Sequence, residues 1–461
     1  MIPQLLILST ALLADPDPYS LPGPYAWGER GVGVLRDDGT SVAAQVYYPA
    51  SAQGPNQPVS ELGGEYPIVS FAPGFIVPPT IYASTMRHMA SHGYIAIVTS
   101  SQSGNFNPDR ELYVSDFLGT IDYLTAEDAR SESPFFGRVA TEKVGAAGHS
   151  LGGGISIVAA ARDARIDASA TFAAASLRDA GPLGAAPPPY ADVEIAALDI
   201  PVSLINGSLD GLIPVATNGQ MIYDAAGGPR LLPNLLGGYH GGFWDSPVSF
   251  DEGTVSQEEN LAFARAELLS FFDLYLQGDQ SAWRRQWGPE RLAAASVETQ
   301  LDPGFSITPD MSSRRASDLG LAVYDMTLQN DTDHSTSYQL FVEDNQWELT
   351  FSTQQTEVLS PGESIVVQAF VSAPPDATAP DRALVSARSD RDGGTRAWTY
   401  LETKIVPEPA TLAMTLTGGF IALGLAIRRR RTTTSPLSPW PSRFRSSPGS
   451  PLGACSRRPL P

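Results

Sequence analysis

The sequence predicts an α/β protein, a mostly parallel central sheet flanked by helices, followed by a small all-β sandwich. Two patterns point there. From residue 29 to about 290, short apolar runs alternate with amphipathic stretches. From about Leu319 apolar residues recur at every second position instead, with turn residues between the runs.

The first region reads as follows. Pro67–Phe71 is a strand, and Ile81–His92 a helix stopped by Gly93. Tyr94–Thr99 is nearly all apolar, as expected of a strand buried on both faces. Val114–Thr125 fits a helix, and Lys143–Gly148 a strand ending in a turn. Gly153–Arg162 is a helix of small residues. Ser169–Ala174, Val202–Asn206 and Arg230–Leu235 supply three more strands, and Ser256–Leu276 a long closing helix. In the second region, period-two runs such as Tyr338-Leu340-Val342, Trp347-Leu349-Phe351 and Ile365-Val367-Ala369-Val371 are separated by turns such as Ser360-Pro361-Gly362-Glu363. Short strands at that spacing form a sandwich. The expected boundaries are a leader at 1–14, a catalytic domain at 15–295, a linker at 296–318, a sandwich at 319–405, a sorting segment at 406–431 and a disordered tail at 432–461.

The 461 residues carry a formal charge of −20, and no acid follows Glu408 while eight arginines lie at or beyond Arg428. The remainder is therefore more acidic still, and such a surface repels phosphate backbones, which argues against nucleic-acid partners. The single cysteine, Cys455, excludes an intramolecular disulfide and a cysteine-built metal site. Leu5–Leu13 is apolar, ends at Ala14 and is followed by acids, the outline of a short secretory leader. At the other end Val406-Pro407-Glu408-Pro409 precedes an apolar run to Ile427 and the four arginines Arg428–Arg431. A helix of about 16 residues there is marginal for crossing ~30 Å of hydrocarbon, with a positive stop on the cytoplasmic side. This string resembles the PEP-CTERM sorting signal of Gram-negative bacteria. The resemblance implies export through the inner membrane, an exosortase-type processing enzyme, and a secreted or cell-surface destination. The Ser/Pro/Arg-rich stretch 432–461 has no core-forming pattern.

Gly148-His149-Ser150-Leu151-Gly152 matches G-x-S-x-G and lies between an expected strand and an expected helix, as a nucleophile elbow requires. The glycines matter because the serine of such a turn is strained and side chains beside it would clash. A serine hydroxyl needs a base within hydrogen-bond reach, and the base needs an orienting carboxylate. Asp210 follows the strand that ends at Gly207, at the carboxyl edge where open sheets bind ligands; Asp199 precedes that strand and belongs to the other edge. Of five histidines, His149 sits inside the elbow and points away from its neighbour's hydroxyl, His88 and His92 lie on the early helix, and His334 falls in the sandwich. His240 remains, in the glycine-rich loop Gly237–Phe243 after a late strand. The expected triad is Ser150, Asp210 and His240. The expected oxyanion donors are the amides of Leu151 and Phe75, since Pro73 has no N–H.

Pro73-Gly74-Phe75, Met89-Ala90-Ser91-His92-Gly93-Tyr94 and Gly148-His149-Ser150-Leu151-Gly152-Gly153-Gly154 resemble the bacterial cutinase and polyester-hydrolase branch of the α/β-hydrolases. They are also similar to chlorophyllases and platelet-activating-factor acetylhydrolases. The resemblance covers roughly residues 29–278, and implies an α/β-hydrolase fold with Phe75 as the aromatic oxyanion residue. It departs in two places: Ala175–Tyr190 has no tryptophan, and the C-terminal disulfide of that branch is absent. The stretch from 319 resembles the immunoglobulin-like domains appended to secreted bacterial enzymes. The leading expectation is a secreted serine hydrolase of carboxylic esters, whether small-molecule, lipid or polymer, that needs no metal or organic cofactor. A serine peptidase or amidase on the same fold is the first alternative. A surface-binding protein with an inert hydrolase domain is the second. The sandwich is read as a spacer or as a module for extracellular polysaccharide; loss of matrix binding on deleting 319–405, with hydrolysis kept, would show that both functions coexist.

Overall fold

A computed structural model describes residues 16–177, 191–246 and 251–405. The leader at 1–14, most of the segment 175–190, the sorting segment at 406–431 and the tail lie outside the described residues. Among the described residues no helix is long and apolar enough to cross a membrane.

The first region builds one ten-stranded sheet. Its strands are β1 (Ala26–Leu35), β2 (Ser41–Ala50), β3 (Gly54–Pro55), β4 (Tyr66–Ala72), β5 (Ile95–Thr99), β6 (Val139–His149), β7 (Ile166–Phe172), β8 (Val202–Gly207), β9 (Arg230–Leu235) and β10 (Val297–Asp302). The spatial order is β10-β9-β8-β7-β6-β4-β5-β2-β1-β3. Strands β4 to β9 pair in parallel, and β2 and β10 add antiparallel partners at either side.

Neighbouring residues of the central strands belong to different cores. Ile68, Ile95, Ile97, Leu204 and Leu232 pack on one face, with α2 (Arg110–Ala129) and α3 (Leu151–Arg162). Val69, Ala96, Val98, Ile205 and Leu231 pack on the other, with α1 (Ala83–Ser91) and α4 (Gln257–Phe272). Successive side chains of a strand point to opposite faces, so a strand covered on both sides must be apolar throughout. Helix α2 begins four residues before the expected Val114. Asp109 accepts the Leu112 amide at 3.0 Å and so caps an earlier first turn. The closing helix carries a full capping box between Ser256 and Glu259.

Residues 296–318 are not a linker. They form β10, then β11 (Phe305–Pro309) and β12 (Ser313–Arg315), so the sandwich begins at Phe305 rather than 319. Its other strands are β13 (Leu321–Asn330), β14 (Tyr338–Glu343), β15 (Glu348–Phe351), β16 (Ser364–Ser372), β17 (Asp381–Ser389) and β18 (Arg396–Lys404). Two four-stranded sheets, ordered β11-β13-β16-β15 and β12-β18-β17-β14, enclose a core around Tyr324, Tyr338, Val367 and Val385. Alternation is plain in β13, where every second residue is buried.

The sandwich is not a separable appendage. The described residues up to Ile405 form one compact unit, and Leu384 of β17 packs in the same core as Trp283 and Trp287 of the first region. The Trp398 indole donates to the Trp287 carbonyl at 2.7 Å, and the hydroxyls of Tyr275 and Thr395 lie 2.9 Å apart. Arg284 bonds both Glu343 and Asp344 at 3.0 Å.

Candidate active site

Ser150 follows β6 directly and caps α3 with φ 57° and ψ −123°, a left-handed backbone that side-chain-bearing residues rarely adopt. The surroundings hold it there. Its amide donates to the Phe172 carbonyl at 2.9 Å, and its carbonyl accepts the amides of Ala175 at 2.9 Å and Gly154 at 3.2 Å. The flanking glycines are required by backbone proximity. A methyl group on Gly148 would run into the Gly152 carbonyl, and one on Gly152 into the carbonyls of Ala72 and Pro73.

Asp210 lies just past the carboxyl end of β8. Its Oδ1 accepts the amides of Leu212 at 2.9 Å and Ile213 at 2.7 Å, and its Oδ2 lies 2.7 Å from His240 Nδ1. An ionised carboxylate only accepts, so the ring carries its proton on Nδ1 and leaves Nε2 bare in the neutral imidazole. His240 opens a single helical turn, His240–Phe243, whose Gly241 amide donates to Asp251. Ser150, Asp210 and His240 are 7%, 6% and 3% exposed, each a polar group sheltered yet not sealed. The His240 ring centroid lies 4.4 Å from that of His149, the residue before Ser150. Loops from β6, β8 and β9 thus bring the three expected residues to one edge of the sheet.

The loop after β4 closes the site. A methyl group on Gly74 would come within 3.4 Å of Ser150 Cβ. Phe75 follows, half-buried, and its amide is not spent on a backbone acceptor among the described residues. Leu151 is the first residue of α3, where backbone amides have no intrahelical acceptor. The Phe75 ring meets Phe106 edge-on at 6.3 Å, and Phe106, on the loop after β5, is 63% exposed.

The rival residues have other partners. Asp199 pairs with Arg391 of the sandwich. His88 and His92 bond the carbonyls of Tyr19 and Leu21 at 2.9 Å each, and burial pushes His88 down to about 3. His334 lies 3.0 Å from Asp333.

In the sequence His149 reads only as part of the elbow. Its ring is fully buried, with Nδ1 at 2.9 Å from the Tyr82 hydroxyl and 3.0 Å from the Trp244 indole nitrogen. Burial, and then the neighbouring His240, hold it far below the usual histidine range, so it stays neutral. Neither Tyr82 nor Trp244 is marked by any motif; only the closeness of Trp244 to His240 in sequence hinted at it.

Residues 21–227 match a family model described as PET hydrolase-like. A bis(hydroxyethyl) terephthalate hydrolase of Streptomyces coelicolor is 26% identical over 204 residues, covering 44% of this chain and 56% of its own. Chlorophyllase-1 of Arabidopsis thaliana is 31% identical over 114 residues, covering 24% of this chain and 35% of its own. The chain therefore spans about half, or less, of the length of these relatives.

Proposed function

From its kinship with the α/β-hydrolases of the cutinase and polyester-hydrolase kind, we propose that this chain is a serine hydrolase of carboxylic esters, with Ser150 as nucleophile, His240 as base and Asp210 as orienting acid. The observation that carries the reading is the 2.7 Å Asp210–His240 bond beside a serine held at positive φ between two obligatory glycines.

In the proposed reaction Ser150 Oγ attacks the acyl carbon while its proton passes to His240 Nε2. Asp210 stabilises the resulting imidazolium without taking its proton. The carbonyl oxygen becomes an oxyanion, which the amides of Phe75 and Leu151 receive; one such donor contributes roughly 10²–10³ in rate. The intermediate collapses, the C–O bond to the alcohol breaks, and Nε2–H returns the proton to the leaving oxygen. Water, deprotonated by the same nitrogen, then releases the acid and restores Ser150. The edge-to-face pair Phe75 and Phe106 offers an apolar wall beside the acyl carbon. Flat or hydrophobic acyl groups suit that wall, in keeping with the substrate in the name of the terephthalate-ester relative.

The leader-like Leu5–Leu13 and the Pro407-Glu408-Pro409 segment support export to the surface of a Gram-negative cell, with an exosortase-type enzyme as processing partner. Extracellular polysaccharide remains the proposed partner of the sandwich. The decisive test is Ser150→Ala. It should abolish covalent labelling by a fluorophosphonate probe and hydrolysis of p-nitrophenyl esters, while the unaltered chain leaves peptide anilides intact. Labelling that persists in the variant would remove Ser150 from the nucleophile's role.

A further inference from the structure

The three loops of the site meet at a buried polar junction built from residues outside the triad. Tyr82 closes the short turn Pro79–Tyr82 ahead of α1. Its hydroxyl oxygen accepts the Gly74 amide at 3.1 Å and the Trp244 indole N–H at 3.2 Å. The same oxygen lies 2.9 Å from His149 Nδ1, and the indole nitrogen 3.0 Å from it. An indole N–H can only donate, and so can an amide N–H. The phenol hydrogen is then left for His149, so every donor of the cluster is directed to Nδ1 or to the phenol oxygen. His149 Nδ1 is therefore bare, and the ring proton sits on Nε2. That Nε2 is buried and has no well-formed hydrogen bond among the described residues.

Each member is one short step from a reacting group. Gly74 precedes the oxyanion amide of Phe75, His149 precedes Ser150, and Trp244 ends the turn that His240 begins. The Pro79–Ser84 segment also clamps the histidine loop directly. Asp245 donates its amide to the Ile81 carbonyl at 2.8 Å, and its carboxylate accepts the Ser84 amide at 2.8 Å. Tyr82 and His149 are fully buried and Trp244 nearly so. Bonds so buried are little screened by solvent, and loss of the phenol leaves the buried Gly74 amide unpaired.

We propose that Tyr82, His149 and Trp244 act together as positioning residues, a single junction that sets the oxyanion amide, the nucleophile and the base at fixed spacing. This rests on the reading of Ser150, Asp210 and His240 as the triad. None of the three touches the acyl group, so they act on the rate of the chemical steps and not on how tightly the ester is held.

The test compares Tyr82→Phe, Trp244→Phe and the double variant in the full chain, with p-nitrophenyl butyrate as substrate. Fluorophosphonate titration counts working serines, and kcat is expressed per titrated site, so unfolded protein drops out. Each single variant should lose about tenfold or more in kcat, with KM within twofold of the unaltered enzyme. The double variant should be little slower than the worse single one, because a unit already broken cannot be broken again. Single variants with kcat within twofold, a loss confined to KM, or losses that multiply in the double variant would each overturn the junction. Failure of the triad reading looks different: the unaltered chain itself would give no Ser150 labelling.

Discussion

Replacing Asp210 with asparagine changes one atom and reverses the hydrogen-bond sense of the site. Oδ1 is held by two donors, the amides of Leu212 and Ile213 at 2.9 and 2.7 Å. An NH2 group cannot sit opposite two N–H groups, so the new side-chain amide must keep its oxygen there. Its NH2 then occupies the place of Oδ2, 2.7 Å from His240 Nδ1, and donates to it. A ring nitrogen that accepts cannot carry the proton, so the proton moves to Nε2, the atom that receives hydrogen from Ser150 in the proposed reaction. The wrong tautomer costs about 10⁴ in kcat in triads of this kind, or ~5.4 kcal/mol of barrier at 1.36 kcal/mol per decade. Stability falls far less, since both backbone bonds survive with a neutral acceptor; about 1–2 kcal/mol is expected. Initial rates of p-nitrophenyl acetate hydrolysis, normalised to folded protein by circular dichroism, measure the effect. Asp199→Asn is the control, because Asp199 is paired to Arg391 away from the site and should leave the rate unchanged. A folded Asp210→Asn variant within tenfold of the unaltered enzyme would refute the tautomer argument.

Two further outcomes follow from the structure. Asp273 is pushed up to about 7 by burial, while the Tyr94 hydroxyl donates to it at 2.7 Å. A carboxyl raised above its unfolded value of ~3.9 holds its proton in the fold. Its stabilisation is full below pH ~4 and fades as pH climbs to about 7. Asp273→Asn should therefore flatten the decline in melting temperature between about pH 4 and 7, and an unchanged decline would contradict the assignment. Truncation after Asp302 removes the indole of Trp398 from Trp287, and Leu384 from the shared core. The fragment should aggregate or melt lower by on the order of 10 °C; an equal melting temperature would show that the shared core adds nothing to the stability of the first region.

The central strands are legible because both of their faces are covered, so β4, β5 and β8 read as mostly apolar runs in which every residue is buried. The outer strands are not. In β1, three glycines and the charged Glu29 and Arg30 dilute the pattern, and most of its residues stay partly or fully exposed. β10 alternates weakly and has no fully buried residue, so it passed for linker. Ser150, Asp210 and His240 could be found by chemistry and chain order alone, for each has a distinctive residue type at a strand's carboxyl end. The junction behind them could not. Tyr82 and Trp244 are aromatic residues among many, and only the fold brings a phenol and an indole together on the same nitrogen of His149.

The shared core around Trp287 and Leu384 also constrains the order in which the molecule can be completed. A polypeptide emerging from a ribosome or a translocation pore presents Ser150, Asp210 and His240 long before β17 and β18. Yet Leu384 and Trp398 arrive more than a hundred residues after His240. Until they do, the tryptophans at 283 and 287 lack their final covering. Synthesis of the last strands is thus the closing step that turns a nearly assembled scaffold into a lasting one.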